Sequence, residues 1–181
     1  MKKINEIFYS LQGEGYHTGI PAIFVRFSGC NMKCSFCDTL HEDGIMMSDE
    51  EIISEVVKYP ASMVVLTGGE PGLWIDESLV DALHNEGKYV CVETNGTCVL
   101  PGNVDWVTCS PKEGGEVRLN HIDEVKVVLC GTRCICLFGL PARYYFIQPC
   151  SCSNTEAVIA YILKYPKWRL VCKLISLLQI P

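Results

Sequence analysis

The stretch AIFVRFSGCNMKCSFCDT, residues 22–39, decides the fold. Its first half is apolar and β-rich, ends in Ser28-Gly29, and reads as a buried strand over 22–29. Its second half places Cys30, Cys34 and Cys37 directly behind that strand, three thiols within eight residues. On a helix, this i, i+4, i+7 spacing would put them on one apolar face, where cysteine packs as a small hydrophobe. The preceding strand and glycine oppose a helix through the segment. Two metal readings then stand side by side. A structural zinc ion wants four closed ligands and finds three thiolates locally, with His41 available as a fourth. A four-iron cluster held by three thiolates would leave one iron open to a substrate or cofactor.

Outward from this stretch, strand-like and helix-like segments alternate. SDEEIISEVVKY (48–59) has Ser48 and Glu51 in capping-box spacing, and Ile52, Ile53, Val56 and Val57 as one apolar face. MVVLT (63–67) is a buried strand, and DESLVDALHNEG (76–87) a helix stopped by Gly87. KYVCVET (88–94), VDWVTCS (104–110), EVKVVL (124–129) and RYYFIQ (143–148) read as further strands, and NTEAVIAYILKY (154–165) as a last helix. This order predicts a single α/β domain over 1–181 with a mostly parallel sheet, open or partly closed into a barrel. The polar clusters SGCNMKC, GGEP, TNGT, SPK and QPCSC each follow a strand. In such folds ligands bind at the carboxyl ends of strands, so one cleft could collect them all.

Composition narrows the chemistry. A net charge of −6 with no long basic run excludes a nucleic-acid partner as the default. The amino terminus lacks the continuous apolar segment of a signal peptide, and no stretch approaches a membrane span, so a cytoplasmic chain is expected. Twelve cysteines in a reducing compartment point to metal chemistry or catalysis before disulfides.

Taken alone, TGGEP (67–71) is a strand–turn–helix junction, with Pro71 near the first helical turn. Gly68 and Gly69 would also let a ligand approach the backbone, and Glu70 would offer a charge to an ammonium group. ETNGT (93–97) suits a tight turn, and Lys112 of SPK suits either solvent or a ligand. Together, Cys-x3-Cys-x2-Cys and the following GGE resemble the signature of radical S-adenosylmethionine (radical SAM) enzymes, with Phe36 also fitting. The resemblance implies a partial, modified (β/α) barrel, a 4Fe-4S cluster on Cys30, Cys34 and Cys37, and SAM on its open iron.

The chain further resembles the 7-carboxy-7-deazaguanine synthase family through SLQGEG, Gly19, Pro21, FVR, GCN and CDT. TGGEP, ETNGT, SPK, EVKVV and QP continue the match to about Trp168-Arg169-Leu170. That family rearranges 6-carboxy-5,6,7,8-tetrahydropterin to 7-carboxy-7-deazaguanine with loss of ammonia, using a deoxyadenosyl radical and assisted by magnesium. The resemblance implies that Leu11, Gln12, Gly13, Arg26, Thr67 and Pro181 meet the substrate, with Glu14 a weaker candidate. Gly69, Glu70, Ser110, Pro111, Lys112 and Gln148 would meet SAM, and Thr39 would give its hydroxyl to Mg2+. A flavodoxin-like or similar electron donor and a homodimer are implied as well. A glycyl-radical activating enzyme shares the cysteine spacing, but SLQGEG and CDT oppose it. A zinc-binding module is the non-enzymatic alternative.

Two features depart from the family. The chain ends WRLVCKLISLLQIP, without the expected substrate-binding histidine after WRL. Cys130, Cys134, Cys136, Cys150 and Cys152 exceed what the reaction needs; we read them as free thiols, with a second cluster as the alternative.

Overall fold

The computed structural model describes residues 1–34, 37, 43–129, 139–150 and 154–172. Its nine strands are β1 (Lys2–Leu11), β2 (Pro21–Phe27), β3 (Ile45–Met47), β4 (Met63–Gly68), β5 (Tyr89–Thr94), β6 (Trp106–Cys109), β7 (Glu124–Leu129), β8 (Tyr144–Pro149) and β9 (Trp168–Leu170). They form one sheet in the order β3-β1-β2-β4-β5-β6-β7-β8-β9. From β2 to β9 every pairing is parallel, while β1 runs antiparallel to both β2 and β3. Among the described residues no ladder joins β9 back to β3, so the sheet is open, as a partial barrel requires.

Helices α1 (Asp49–Val56), α2 (Glu77–Asn85) and α3 (Thr155–Lys164) cover one face of the sheet. At 8–10 residues each, they are too short to be stable alone and depend on that packing. α1 begins with the predicted capping box: Glu51 N donates to Ser48 Oγ at 3.2 Å, and Ser48 N donates to Glu51 Oε2 at 2.7 Å. Its apolar face is narrower than expected. Ile52 and Val56 are buried, Ile53 is half-buried, and Val57 is 46% exposed because the helix ends there. α2 adds Leu79, Val80 and Leu83 to the core built on Ile23, Val25, Phe27, Val64, Leu66, Val90 and Val92. α3 closes a second core over Val125, Val127 and Ile147 through Val158.

Strand side chains alternate between faces, so the opposite face carries a different set. Toward the amino ends of the strands it is apolar and aromatic: Phe8, Phe24, Met63, Val65, Cys91, Trp106 and Tyr144. Tyr16 stacks on Trp106 and Tyr144 with centroids 5.0 and 4.5 Å apart. Toward the carboxyl ends the same face becomes polar. Arg26 pairs in register with Thr67, Glu93 with Thr108, and Thr108 with Glu124. Lys126 stands one step further along β7 on the same face.

The amino end of the chain is tied to the helical layer by an ion pair that the sequence does not announce. Lys2 is buried, and its Nζ lies 2.6 Å from Asp49 and 3.0 Å from Asp76. Asp76 also caps α2, accepting from Leu79 N at 3.0 Å and Ser78 Oγ at 2.7 Å. Burial pushes the Asp76 carboxyl up, but these donors and the Lys2 ammonium outweigh it and hold the carboxyl at about 2. A depressed carboxylate stabilises the fold above its unfolded value and loses that contribution as the pH falls toward its folded value. Asp76→Ala should therefore lower the unfolding free energy by about 1–2 kcal/mol near neutrality in urea titrations. The gap to wild type should narrow as the pH falls from about 4 to 2, and a gap independent of pH would contradict this assignment.

Candidate active site

β2 and β4 end side by side, and their exits are strapped together. Gly69 N donates to Phe27 O at 3.0 Å, and Glu70 N donates to Gly29 O at 2.9 Å. The approach is so close that two consecutive glycines are needed. Gly68 has a φ of +122°, and a Cβ there would lie 2.2 Å from Phe27 O. A Cβ on Gly69 would lie 2.0 Å from Gly29 O and 3.2 Å from the Cys30 Cβ. The Trp74 indole donates to Ser28 O at 2.7 Å, fixing the backbone just before the first cysteine.

Cys30 is half-buried beside this strap, and Cys37 is exposed. Cys37 N donates to Cys34 O at 3.1 Å, which links the last two cysteines through their backbone. Burial pushes the Cys30 thiol up, Met32 N–H opposes this from 3.4 Å, and the Glu70, Cys34 and Cys37 charges raise it further. Among the described residues no three His, Cys, Asp or Glu side chains converge as ligands of a single metal ion. The three cysteines of a cubane bind different irons and need not converge on one point. His41 and Thr39 lie outside the described residues, so neither the zinc alternative's fourth ligand nor the magnesium ligand is placed. A thiol trio with N–H donors on the first sulfur and a glycine-only wall behind it fits an iron–sulfur cluster.

Glu70 is fully buried. Thr94 Oγ1 and Gly72 N donate to its Oε1 at 2.6 and 2.9 Å, and Asn95 N donates to its Oε2 at 2.8 Å. Burial raises its pKa and these three donors pull it down. The carboxylate expected to meet a ligand ammonium is thus also a strut, holding the β5 exit against the β4 exit. Ser110 N donates to Thr94 O at 2.7 Å, which carries the same connection to the β6 exit. Lys112 Nζ donates to Ser110 Oγ at 2.7 Å. Burial and Lys126 lower the Lys112 pKa while Cys34, Cys109 and Cys37 raise it, so the ammonium stands within electrostatic reach of the Cys34 and Cys37 thiols. Pro111 is buried between them in sequence, and Gln148 is half-buried near the end of β8.

The loop after β1 folds over the polar end of the open face. Gln12 is buried and clamped by its own backbone: its N–H donates to Ile20 O at 2.8 Å, and its carbonyl accepts from Gly19 N at 2.7 Å. Its amide Nε2 donates to Glu93 Oε1 at 2.9 Å. Lys126 Nζ meets Glu14 Oε2 at 2.6 Å and Glu93 Oε2 at 3.1 Å. Tyr16 N donates to Glu124 Oε2 at 2.8 Å, and burial lifts the Glu124 carboxyl to about 7. The other Glu14 oxygen, Oε1, is buried with no hydrogen-bond partner among the described residues. Leu11 and Gly13 flank Gln12, and Thr67 lies on β4 in register with Arg26. Arg26 donates through Nε to Glu6 at 2.7 Å and lies over the Phe8 ring at 5.5 Å. The four N–H groups at the far end of its fork suit a carboxylate.

The structure thus gathers Cys30, Gly69, Glu70, Ser110 and Lys112 at one end of the sheet, and Gln12, Glu14, Arg26 and Thr67 beside them. Pro181 and the divergent segment after Cys172 lie outside the described residues, as do Cys130, Cys134, Cys136 and Cys152. Sequence reasoning did not single out Glu93, Glu124 and Lys126. The signal was available: charges at alternate positions of an apolar strand, Glu124 and Lys126, face one side and require buried partners there. Asn95 was read as part of a turn that could also line the cleft, and the turn is present, with Gly96 at φ +86°.

The radical SAM superfamily model matches residues 24–124, more than half of the chain. A 7-carboxy-7-deazaguanine synthase from Bacteroides thetaiotaomicron is 61% identical over 180 residues, covering 99% of each chain. One from Bradyrhizobium diazoefficiens is 38% identical over 195 aligned positions, covering 92% of this chain and 93% of the relative. The crystal structure of QueE from Escherichia coli superposes with a TM-score of 0.81 at 30% identity, over 96% of this chain and 94% of that one. A chain with this strap, these thiols and these relatives belongs to the radical SAM superfamily and, within it, to the 7-carboxy-7-deazaguanine synthase family.

Proposed function

We propose that this chain converts 6-carboxy-5,6,7,8-tetrahydropterin to 7-carboxy-7-deazaguanine with release of ammonia. The observation that carries the reading is the unpartnered Glu14 Oε1, a buried acceptor whose partner oxygen shares Lys126 with Glu93, the carboxylate that Gln12 also meets. A carboxylated pterin offers matching chemistry: N–H donors on its pyrimidine edge and a carboxylate on the other ring. The identity to named synthases over nearly the whole chain supports the same substrate class.

Cys30, Cys34 and Cys37 would hold a 4Fe-4S cluster, and Gly69, Glu70, Ser110, Pro111, Lys112 and Gln148 would receive SAM. When bound, these two groups supply the electron and the carbon-centred radical chemistry of the superfamily. The chain's own residues do the rest. Gly69 lets the β4 exit close against Gly29 and Cys30, where any side chain would collide, and so fixes the first cysteine. Arg26 anchors the substrate carboxylate through its outer nitrogens, with Glu6 and Phe8 fixing the inner half of the fork. Gln12 and Glu14 read the pterin edge, with Leu11, Gly13 and Thr67 around it. Lys126 pairs with both Glu14 and Glu93 and, against burial, holds the Glu93 carboxyl below its ordinary range, so Glu93 remains an acceptor. The aromatic floor of Trp106, Tyr144 and Tyr16 bars water from below. We further infer that Thr39 ligates Mg2+, that Pro181 folds onto the substrate, and that the chain works as a cytoplasmic homodimer reduced by a flavodoxin-like donor.

The test is anaerobic reconstitution followed by mass-spectrometric assay with SAM, dithionite, magnesium and the carboxy-tetrahydropterin. The expected outcome is about four irons per chain and formation of carboxy-deazaguanine. Cys30→Ala should lose the iron and fall to the no-enzyme background. SAM cleavage without carboxy-deazaguanine would overturn the substrate assignment, and a colourless chain holding one zinc would overturn the enzyme reading altogether.

A further inference from the structure

Three side chains beside Cys30 close a ring of hydrogen bonds. Thr97 Oγ1 donates to Asn95 Oδ1 at 2.7 Å, Asn95 Nδ2 donates to Asn31 Oδ1 at 3.1 Å, and Asn31 Nδ2 donates to Thr97 Oγ1 at 2.7 Å. The orientation of Asn95 is fixed independently, because the Thr97 backbone N–H donates to its Oδ1 at 2.9 Å. Its Nδ2 therefore faces Asn31, and of the two amide hydrogens the ring uses one. The other is directed at Cys30 Sγ, 3.9 Å from Nδ2. Asn95 is 7% exposed, so this donor is screened from water on its own side.

We propose that Asn95 hydrogen-bonds the Cys30 thiolate and thereby sets the reduction potential of the cluster that the thiolate holds. The proposal rests on the reading of Cys30 as a cluster ligand. Reduction adds one electron, given by a low-potential donor protein or in vitro by dithionite, and moves no proton. The added negative charge spreads onto the ligating sulfurs, and hydrogen bonds to those sulfurs stabilise the reduced form and raise the potential. Asn95 acts twice in this environment. Its side chain faces the sulfur, and its backbone N–H donates to Glu70 Oε2 at 2.8 Å, which fixes the residue against the β4 exit. Met32 N–H, 3.4 Å from the same sulfur, is the second donor and cannot be removed by side-chain substitution. Asn95 is in this sense a positioning residue with an electronic effect, reached through Asn31 and Thr97.

The experiment is an EPR-monitored redox titration of the reconstituted chain without SAM or substrate, with iron content measured in parallel. Asn95→Ala should load iron as the wild type does and shift the midpoint potential to more negative values. Thr97→Val, which breaks the ring but keeps the amide, should shift it less in the same direction. An Asn95→Ala cluster with the wild-type potential overturns the proposal. Should Asn95→Ala fail to hold a cluster, the wild type decides. With 15N in the asparagine side-chain amides, the reduced cluster should show a 15N hyperfine coupling, and its absence overturns the proposal. A wild-type chain that takes up no iron overturns the cluster reading itself, a separate outcome from an unshifted potential.

Discussion

A buried ammonium holds the loop after β1 against the open face of the sheet. Lys126 comes off an interior strand into a region nearly free of water. Isolating such a charge costs several kcal/mol, so its position is tolerable only with counter-charges in good geometry. Burial lowers its pKa, and Glu14 and Glu93 more than reverse this, so the ammonium stays charged far above neutrality. Those two carboxylates come from different places: one from the loop after β1, the other from the end of β5. The ion pair therefore decides where the SLQGEG loop lies, and Gln12 and the open acceptor of Glu14 follow from it.

A second buried charge organises the cluster side. Glu70 gathers donors from the β4 exit and the β5 exit, and the glycine pair before it lets β4 press against β2 at the first cysteine. The two halves meet in one short segment. Glu93 turns to the open face and Lys126, while Thr94 and Asn95 turn to Glu70, and the Asn95 amide continues to Cys30. Glu93 and Thr94 at the end of β5, with Asn95 directly after them, thus hold the SLQGEG loop and the cysteine loop in fixed relation. For a reaction in which a radical made at one site must reach a carbon at the other, this rigidity is a functional requirement.

Much of this was legible in the sequence. Buried parallel strands read as continuous apolar runs, and six of them were found within one or two residues of their ends, because parallel sheets are covered on both faces. The placement of the polar clusters at carboxyl ends held for each cluster whose residues are described. What escaped has physical causes. β1 carries Lys2, Lys3, Asn5 and Glu6, and its alternation is broken by a bulge between Ile4 and Glu6, so no period-2 pattern survives. β3 and β9 have three residues each, too few for any pattern. Lys126 and Glu124 were hidden inside a strand read as apolar, since only tertiary structure shows which charges meet. The ring of Asn31, Asn95 and Thr97 joins residues 64 and 66 positions apart, and no local rule connects them.

The claim on which this account turns is that Lys126 and Glu93 act as one unit. A double-mutant cycle of Lys126→Met and Glu93→Gln, measured by urea unfolding, tests it directly. The account predicts that Lys126→Met alone costs about 3–5 kcal/mol, because two buried carboxylates lose their counter-charge. It predicts that adding Glu93→Gln recovers part of the loss, giving a coupling energy of about 1 kcal/mol or more. Single effects that add within about 0.5 kcal/mol would contradict it.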